Sequence, residues 1–147
     1  MQEFGDSLQI VAFTVDGVEY AFPINYVKEI IRHVPPQPTS ARDPWMLGVI
    51  NLRGSIVPII DLGTRLGRSA SAHDLRQAKI LVLEHGDVTI GAVVTSVDEV
   101  RTISAQQVQA APAGASNQFM DAVVTIDERL IMLLDATALL SVEAIAA

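Results

Sequence analysis

At 147 residues, half of them apolar and 18% charged, the chain has the length and hydrophobic content of one ordinary domain with a real core, which excludes wholesale disorder. A formal net charge of −7 opposes general nucleic-acid binding and adsorption to an anionic membrane, both of which need a cationic footprint. The absence of cysteine removes disulfides, thiolate metal sites and a cysteine nucleophile together. No apolar run reaches the roughly 18–20 residues of a membrane span. Met1–Asp6 is acidic and lacks the basic and apolar regions of a signal peptide, so a cytoplasmic protein is expected.

Valine and isoleucine supply 31 residues, and β-branched side chains of this kind favour strands. Leu8–Val15 is a nearly continuous apolar run that reads as a strand covered on both faces. Asp16-Gly17 is a strong hairpin signal, and Val18–Phe22 returns from it with Val18, Tyr20 and Phe22 on one face. Asn25 can cap a helix whose apolar positions Val27, Ile30, Ile31 and Val34 follow the spacing i, i+3, i+4, i+7, with Lys28, Glu29 and Arg32 towards water. Pro35, Pro36, Pro38 and Pro44 force an extended connection to Trp45.

The chain is organised around Leu47–Leu62, where two apolar runs, Leu47–Leu52 and Ile56–Ile60, flank Gly54-Ser55. That pair suits a type II′ turn, and Pro58 predicts an edge strand or a bulge. Arg53 is the only charge between Asp43 and Asp61; a guanidinium is costly to bury unpaired, so the hairpin is expected to hold it out of the core. Asp61 can cap a short helix, Leu62–Leu66, that Gly67 ends. Lys79–Glu84 and Val88–Val94 form a strand pair around Gly86-Asp87, followed by a strand over Val97–Ile103 and a capping box at Ser104–Gln107. Ala110–Asn117 reads as a loop, Phe119–Ile126 and Arg129–Leu134 as a last hairpin, and Asp135 as the cap of a C-terminal helix with Leu139, Leu140 and Val142 inward. A hairpin followed by a capped helix thus recurs without a residue-level repeat, and so many short strands predict two packed small barrels rather than one.

The three histidines, His33, His73 and His85, lie apart and lack ligand spacing, and Asp98-Glu99 and Asp127-Glu128 are adjacent pairs whose side chains point to opposite faces of a strand. No nucleophile elbow, phosphate-binding loop or dinucleotide fingerprint is present. The residues therefore read as those of a binding module.

From Gly48 to Leu62 the sequence reads G-V-x-N-L-R-G-x-I-V-P-I-x-D-L and resembles the signature hairpin of CheW-type chemotaxis coupling proteins. The Asp16-Gly17 hairpin, Tyr26–Ile31 read as a helix, and Gly91–Val100 are similar to the family in the matching order. The resemblance implies a mainly β, CheW-like fold over residues 1–147 as a single domain. This is two intertwined SH3-like five-stranded β-barrels packed around a groove, with a few short helices and a C-terminal helix. It implies a non-enzymatic adaptor without cofactor or metal, cytoplasmic and sited at membrane-associated chemoreceptor arrays. Its partners would be the regulatory domain of the CheA histidine kinase and the cytoplasmic tip of a methyl-accepting chemoreceptor.

Partner-binding positions carried over by the resemblance are Arg53 with Gly48, Asn51 and Gly54 on the hairpin, and Val27, Glu29 and Ile30 near the groove. For the two glycines, turn and bulge geometry is a competing explanation, and for Val27 and Ile30, which belong to the expected helix's apolar stripe, a place in the core is the stronger reading. Glu29 is expected to pair with a basic residue of a partner. Lys79 and Ser55 stand where the family often has apolar residues, which bears on the partner surface and not on the fold. A CheW-like adaptor of another kinase pathway, such as twitching motility or development, is the alternative within the class. A single-stranded nucleic-acid-binding barrel would need basic residues among exposed aromatics, and an enzyme would need a polar pocket of convergent titratable groups.

Overall fold

A computed structural model describes residues 7–70, 76–111 and 119–140. Local turn chemistry fixes most of its ladders. Strands β1 (Ser7–Val15) and β2 (Val18–Pro23) pair antiparallel across Asp16-Gly17, both at positive φ (48° and 80°), which is the twist a two-residue hairpin requires. A 3-10 turn, Ile24–Tyr26, leads into β3 (Val27–Arg32). The helix expected from Tyr26 to Val34 is therefore a strand. Pairing of Val27–Arg32 with β6 (Lys79–His85) satisfies its backbone, and the β-branched Val27, Ile30 and Ile31 suit a pleated surface better than a helix. Burial alternates along β3 with Val27, Glu29 and Ile31 inward, so Ile30 leaves the expected apolar stripe and is 39% exposed.

The central hairpin joins β4 (Met46–Leu52) to β5 (Ser55–Asp61), with Leu52 opposite Ser55. Its turn is Arg53-Gly54, one residue earlier than expected, and positive φ at both residues (49° and 89°) makes it type I′ and not II′. Pro58 is in an inner strand, not at an edge. Counted from the turn, Val49–Pro58 is a non-hydrogen-bonded pair, and the parallel ladder of β5 with β7 (Val88–Val94) begins only at Ile59, so no bond is lost. The register shift lies instead between Met46 and Gly48.

Helix α1 (Leu62–Arg65) starts at Asp61, whose carboxylate accepts from Thr64 N at 2.9 Å and Thr64 Oγ1 at 2.7 Å. Asp61 is buried, so Asp61→Ala is expected to cost about 1–2 kcal/mol in urea unfolding, the range for a lost N-cap. A change of only a few tenths would remove the cap from the fold's stability. The β6–β7 hairpin turns at Gly86-Asp87, and β8 (Ser96–Ser104) passes through the expected capping box, Ser104 N donating to Gln107 Oε1 at 2.8 Å. A short strand not foreseen in the sequence, β9 (Val108–Ala110), follows. The last hairpin is β10 (Met120–Ile126) and β11 (Arg129–Leu134), and Asp135 caps α2 (Ala136–Leu139). Leu139 and Leu140 are buried as expected; Val142 and most of the Ala110–Asn117 loop lie outside the described residues.

The strands form a six-stranded sheet, β8-β1-β2-β11-β10-β9, and a five-stranded one, β3-β6-β7-β5-β4, where five and five were expected. The two halves of the chain exchange elements. The first hairpin, β1–β2, pairs with strands of the second half, while β6–β7 pairs with β3 and β5 of the first. Both sheets curl, because their edges meet the same core. Ile103 of β8 and Val108 of β9 pack with Ile10, Val124 and Leu133, while Ile31 of β3 and Ile50 of β4 pack with Ile59 and Val82. A third cluster, with Phe13, Tyr20 and Phe22 from one sheet and Leu81, Leu83 and Ile90 from the other, holds the two together. Two barrel interiors and one shared core between them are the layers of the fold. Among the described residues no helix is long and apolar enough to cross a membrane.

Candidate functional site

The tip of the β4–β5 hairpin is locally built. Asn51 Oδ1 accepts from Gly54 N at 2.8 Å, closing the turn, and the backbone places Arg53 at the apex with its side chain 67% exposed. The guanidinium is not free. Its Nη2 donates to Glu29 on β3, the opposite edge of the same sheet, so an ion pair spans the gap between the two edge strands. Glu29, expected to wait for a partner's cation, is paired within its own chain. One nitrogen of the fork is engaged, and the other donors of an exposed arginine can still reach a partner. Exposed Ile56 lies beside Arg53, and a largely polar hollow of about 450 Å³ there is lined by Lys28, Arg53, Ser55, Ile56, Asp87 and Thr89. Arg53, Gly54, Asn51 and Glu29 thus come together at the hairpin tip, whereas Ile30 is on the face of β3 opposite Glu29. Val27 packs on the shared core.

Gly48 has a different role. Gln37 and Val49 exchange backbone hydrogen bonds (2.8 and 2.9 Å), and this lays the proline-rich connection directly over Gly48. A Cβ on Gly48 would meet the Gln37 carbonyl oxygen at 2.1 Å, so the space that its small size leaves is filled by the chain's own backbone.

A second surface lies on the six-stranded sheet, on the face that carries Tyr20 and Leu134 of the shared core. There a largely apolar groove of about 590 Å³ is lined chiefly by Tyr20, Met120, Val123, Thr125, Leu130 and Met132. Two thioethers give it an adaptable wall. Tyr20 is buried, and that burial raises its phenol above the ordinary value of 10.0. The folded phenol therefore holds its proton where the unfolded one has lost it, so stability is full below about pH 10 and falls as pH rises past it. Tyr20→Phe is expected to flatten this alkaline loss in a denaturation series; an unchanged pH dependence would remove Tyr20 as its source.

Of the other residues singled out in the sequence, His85 is exposed and its ring lies tilted against Tyr26, centroids 5.6 Å apart, and His73 lies outside the described residues. Asp127 and Glu128 are exposed in a turn. Asp98 accepts from Thr14 Oγ1 (2.7 Å) and Ser96 Oγ (3.2 Å), while Glu99 and Glu19 hold Arg129. The hydrogen bond from Arg129 to Glu19, and then its contacts with Glu99, raise the guanidinium further above its ordinary value. Among the described residues no group of three or more His, Asp or Glu side chains is placed to hold a metal. One feature was missed in the sequence: Arg65 of α1 lies between two rings, its Cζ 4.6 Å from the centroids of both Trp45 and Phe119. The three residues are far apart in the chain, and no local pattern marks them.

The CheW-like domain family matches residues 9–144, nearly the whole chain and both surfaces described above. The chain belongs to the CheW-like family. The chemotaxis protein CheW of Bacillus subtilis is 30% identical over 139 residues, covering 92% of this chain and 88% of that protein. A probable chemotaxis protein CheW of Rhizobium etli is 33% identical over 136 residues, covering 90% and 87%. The crystal structure of the scaffolding protein TtCheW from Thermoanaerobacter tengcongensis superposes with a TM-score of 0.80 at 25% identity, over 87% of this chain and 88% of that one. This CheW-like chain is thus a chemotaxis adaptor of the scaffold kind, on the mainly β fold that its sequence implied.

Proposed function

We propose that this adaptor is not an enzyme, works in the cytoplasm at receptor arrays, and joins the cytoplasmic tip of a methyl-accepting chemoreceptor to the regulatory domain of the CheA kinase. The braced hairpin tip carries the reading. Arg53 is held outward by a type I′ turn, steadied by Glu29, and set beside exposed Ile56 and a largely polar hollow that Lys28, Ser55, Asp87 and Thr89 line, so it offers a charged fork on a mostly polar rim. A rigid fork of this kind recognises a carboxylate or paired carbonyls, and exposed Ile56 beside it adds apolar contact. Asn51 and Gly54 act by holding the turn, Glu29 by orienting Arg53, and Ile30 by contact. Val27 and Gly48 act structurally, by packing and by close backbone approach.

The apolar groove on the six-stranded sheet suits the other partner. A receptor tip is helical, and an amphipathic helix lays its apolar face into such a groove. Kinase contact at the barrel end and receptor contact at the groove leave both faces available at once. A signal passes only if the receptor's on and off states differ in their contact with the adaptor. The test is binding of a CheA regulatory domain and of a receptor-tip fragment to the immobilised chain. Capture of both is expected; capture of neither would overturn the assignment.

A further inference from the structure

The two surfaces meet at Arg65. Both strands of the tip hairpin end there: β4 begins directly after Trp45, and β5 ends at Asp61, the cap of the helix that carries Arg65. Asp61 N donates to the Trp45 carbonyl oxygen at 2.7 Å, which locks those two ends together. On the other side, Phe119 immediately precedes β10, whose Met120, Val123 and Thr125 line the groove. Phe119 is itself fixed, 5% exposed, with its carbonyl oxygen accepting from Asp135 N at 2.7 Å. Among the described residues no carboxylate pairs with Arg65. Two ring faces hold the cation instead, and such contacts depend on ring position within about 6 Å. Trp45 and Phe119 also pack on the shared core, and Arg65 adds a charged link between them, from β10 to the foot of the tip hairpin.

We propose that Arg65 is a positioning residue that couples the groove to the hairpin tip, so that occupancy of one surface changes affinity at the other. The coupling rests on the two-surface reading given above, and by linkage it is reciprocal. The test titrates a receptor-tip helical fragment onto the adaptor alone and onto the adaptor saturated with the kinase regulatory domain. In the wild type the two affinities are expected to differ by roughly five-fold or more, the usual lower bound for coupled sites. Arg65→Met keeps the unbranched stem and removes the charge. It is expected to leave each binary affinity within about two-fold and to bring the ratio close to one, with Arg65→Lys restoring part of it. A ratio unchanged in Arg65→Met, or already one in the wild type, would overturn the coupling while leaving binary binding in place.

A partner-free measurement separates that failure from failure of the two-surface reading. Val123→Ala in the groove is expected to shift the amide resonances of Gly54 and Ser55 in the wild type and not in Arg65→Met. The same shifts in both backgrounds, or in neither, would remove Arg65 as the link whatever the partners are. Arg65→Gln, which also removes the charge, serves in this measurement if Arg65→Met fails to fold.

Discussion

Gly48→Ala is expected to destabilise the protein by about 2–5 kcal/mol in urea unfolding. Two costs add. The backbone at φ +142° is one that a side chain disfavours, by roughly 1–2 kcal/mol. The new Cβ also stands 2.1 Å from the Gln37 oxygen, which is backbone and cannot rotate away, so overpacking adds about 1–3 kcal/mol. Relief would require breaking the Gln37–Val49 hydrogen bonds that hold the proline-rich connection on β4. Gly54→Ala is the control: φ is +89° but no atom lies within 4 Å, so only the roughly 1–2 kcal/mol of conformational strain applies. Equal losses in the two variants would show that the close approach at Gly48 costs nothing.

Arg53→Glu is expected to weaken binding to the kinase regulatory domain by at least about a hundred-fold, since a like charge placed against a complementary surface costs several kcal/mol. The fold should hardly notice. The arginine is 67% exposed and its pair with Glu29 is a surface pair, worth about 0–1 kcal/mol. Calorimetric titration with both proteins confirmed folded by circular dichroism reads this directly. The double exchange Glu29→Arg with Arg53→Glu restores an ion pair between the edge strands and is expected to recover any lost stability but not the binding. Recovery of binding by the exchange would show that the tip acts through the brace alone and that the sign of the outward charge is irrelevant.

Much of the fold was legible because its turns are local. Asp16-Gly17, Gly86-Asp87 and Asp127-Glu128 each carry their own conformational preference, and Asp61 and Asp135 cap the helices they precede. Val27–Arg32 was misread because Val27, Ile30, Ile31 and Val34 satisfy a helical period, whereas β6, some fifty residues away, decides the outcome. The competing signal was confined to three β-branched residues, because Glu29 on the inward face and Ile30 on the outward one break a period-two pattern. The exchange of hairpins between the halves is likewise a matter of long-range pairing, as is β9 against β10. At the site, the hairpin motif found Arg53, but its pairing with Glu29 crosses from one sheet edge to the other. The covering of Gly48 by Gln37 and the Arg65 clamp are equally tertiary.

The most direct measurement is a three-component assembly. A receptor-tip fragment on a support, the CheA regulatory domain in solution, and this chain added in increasing amounts would show whether the kinase domain is retained. Retention that rises with the chain, and that is lost when Arg53→Glu replaces it, is the result expected of a coupling adaptor with the kinase at its hairpin tip. Retention that does not depend on the chain, or two binary complexes that exclude one another, would contradict it.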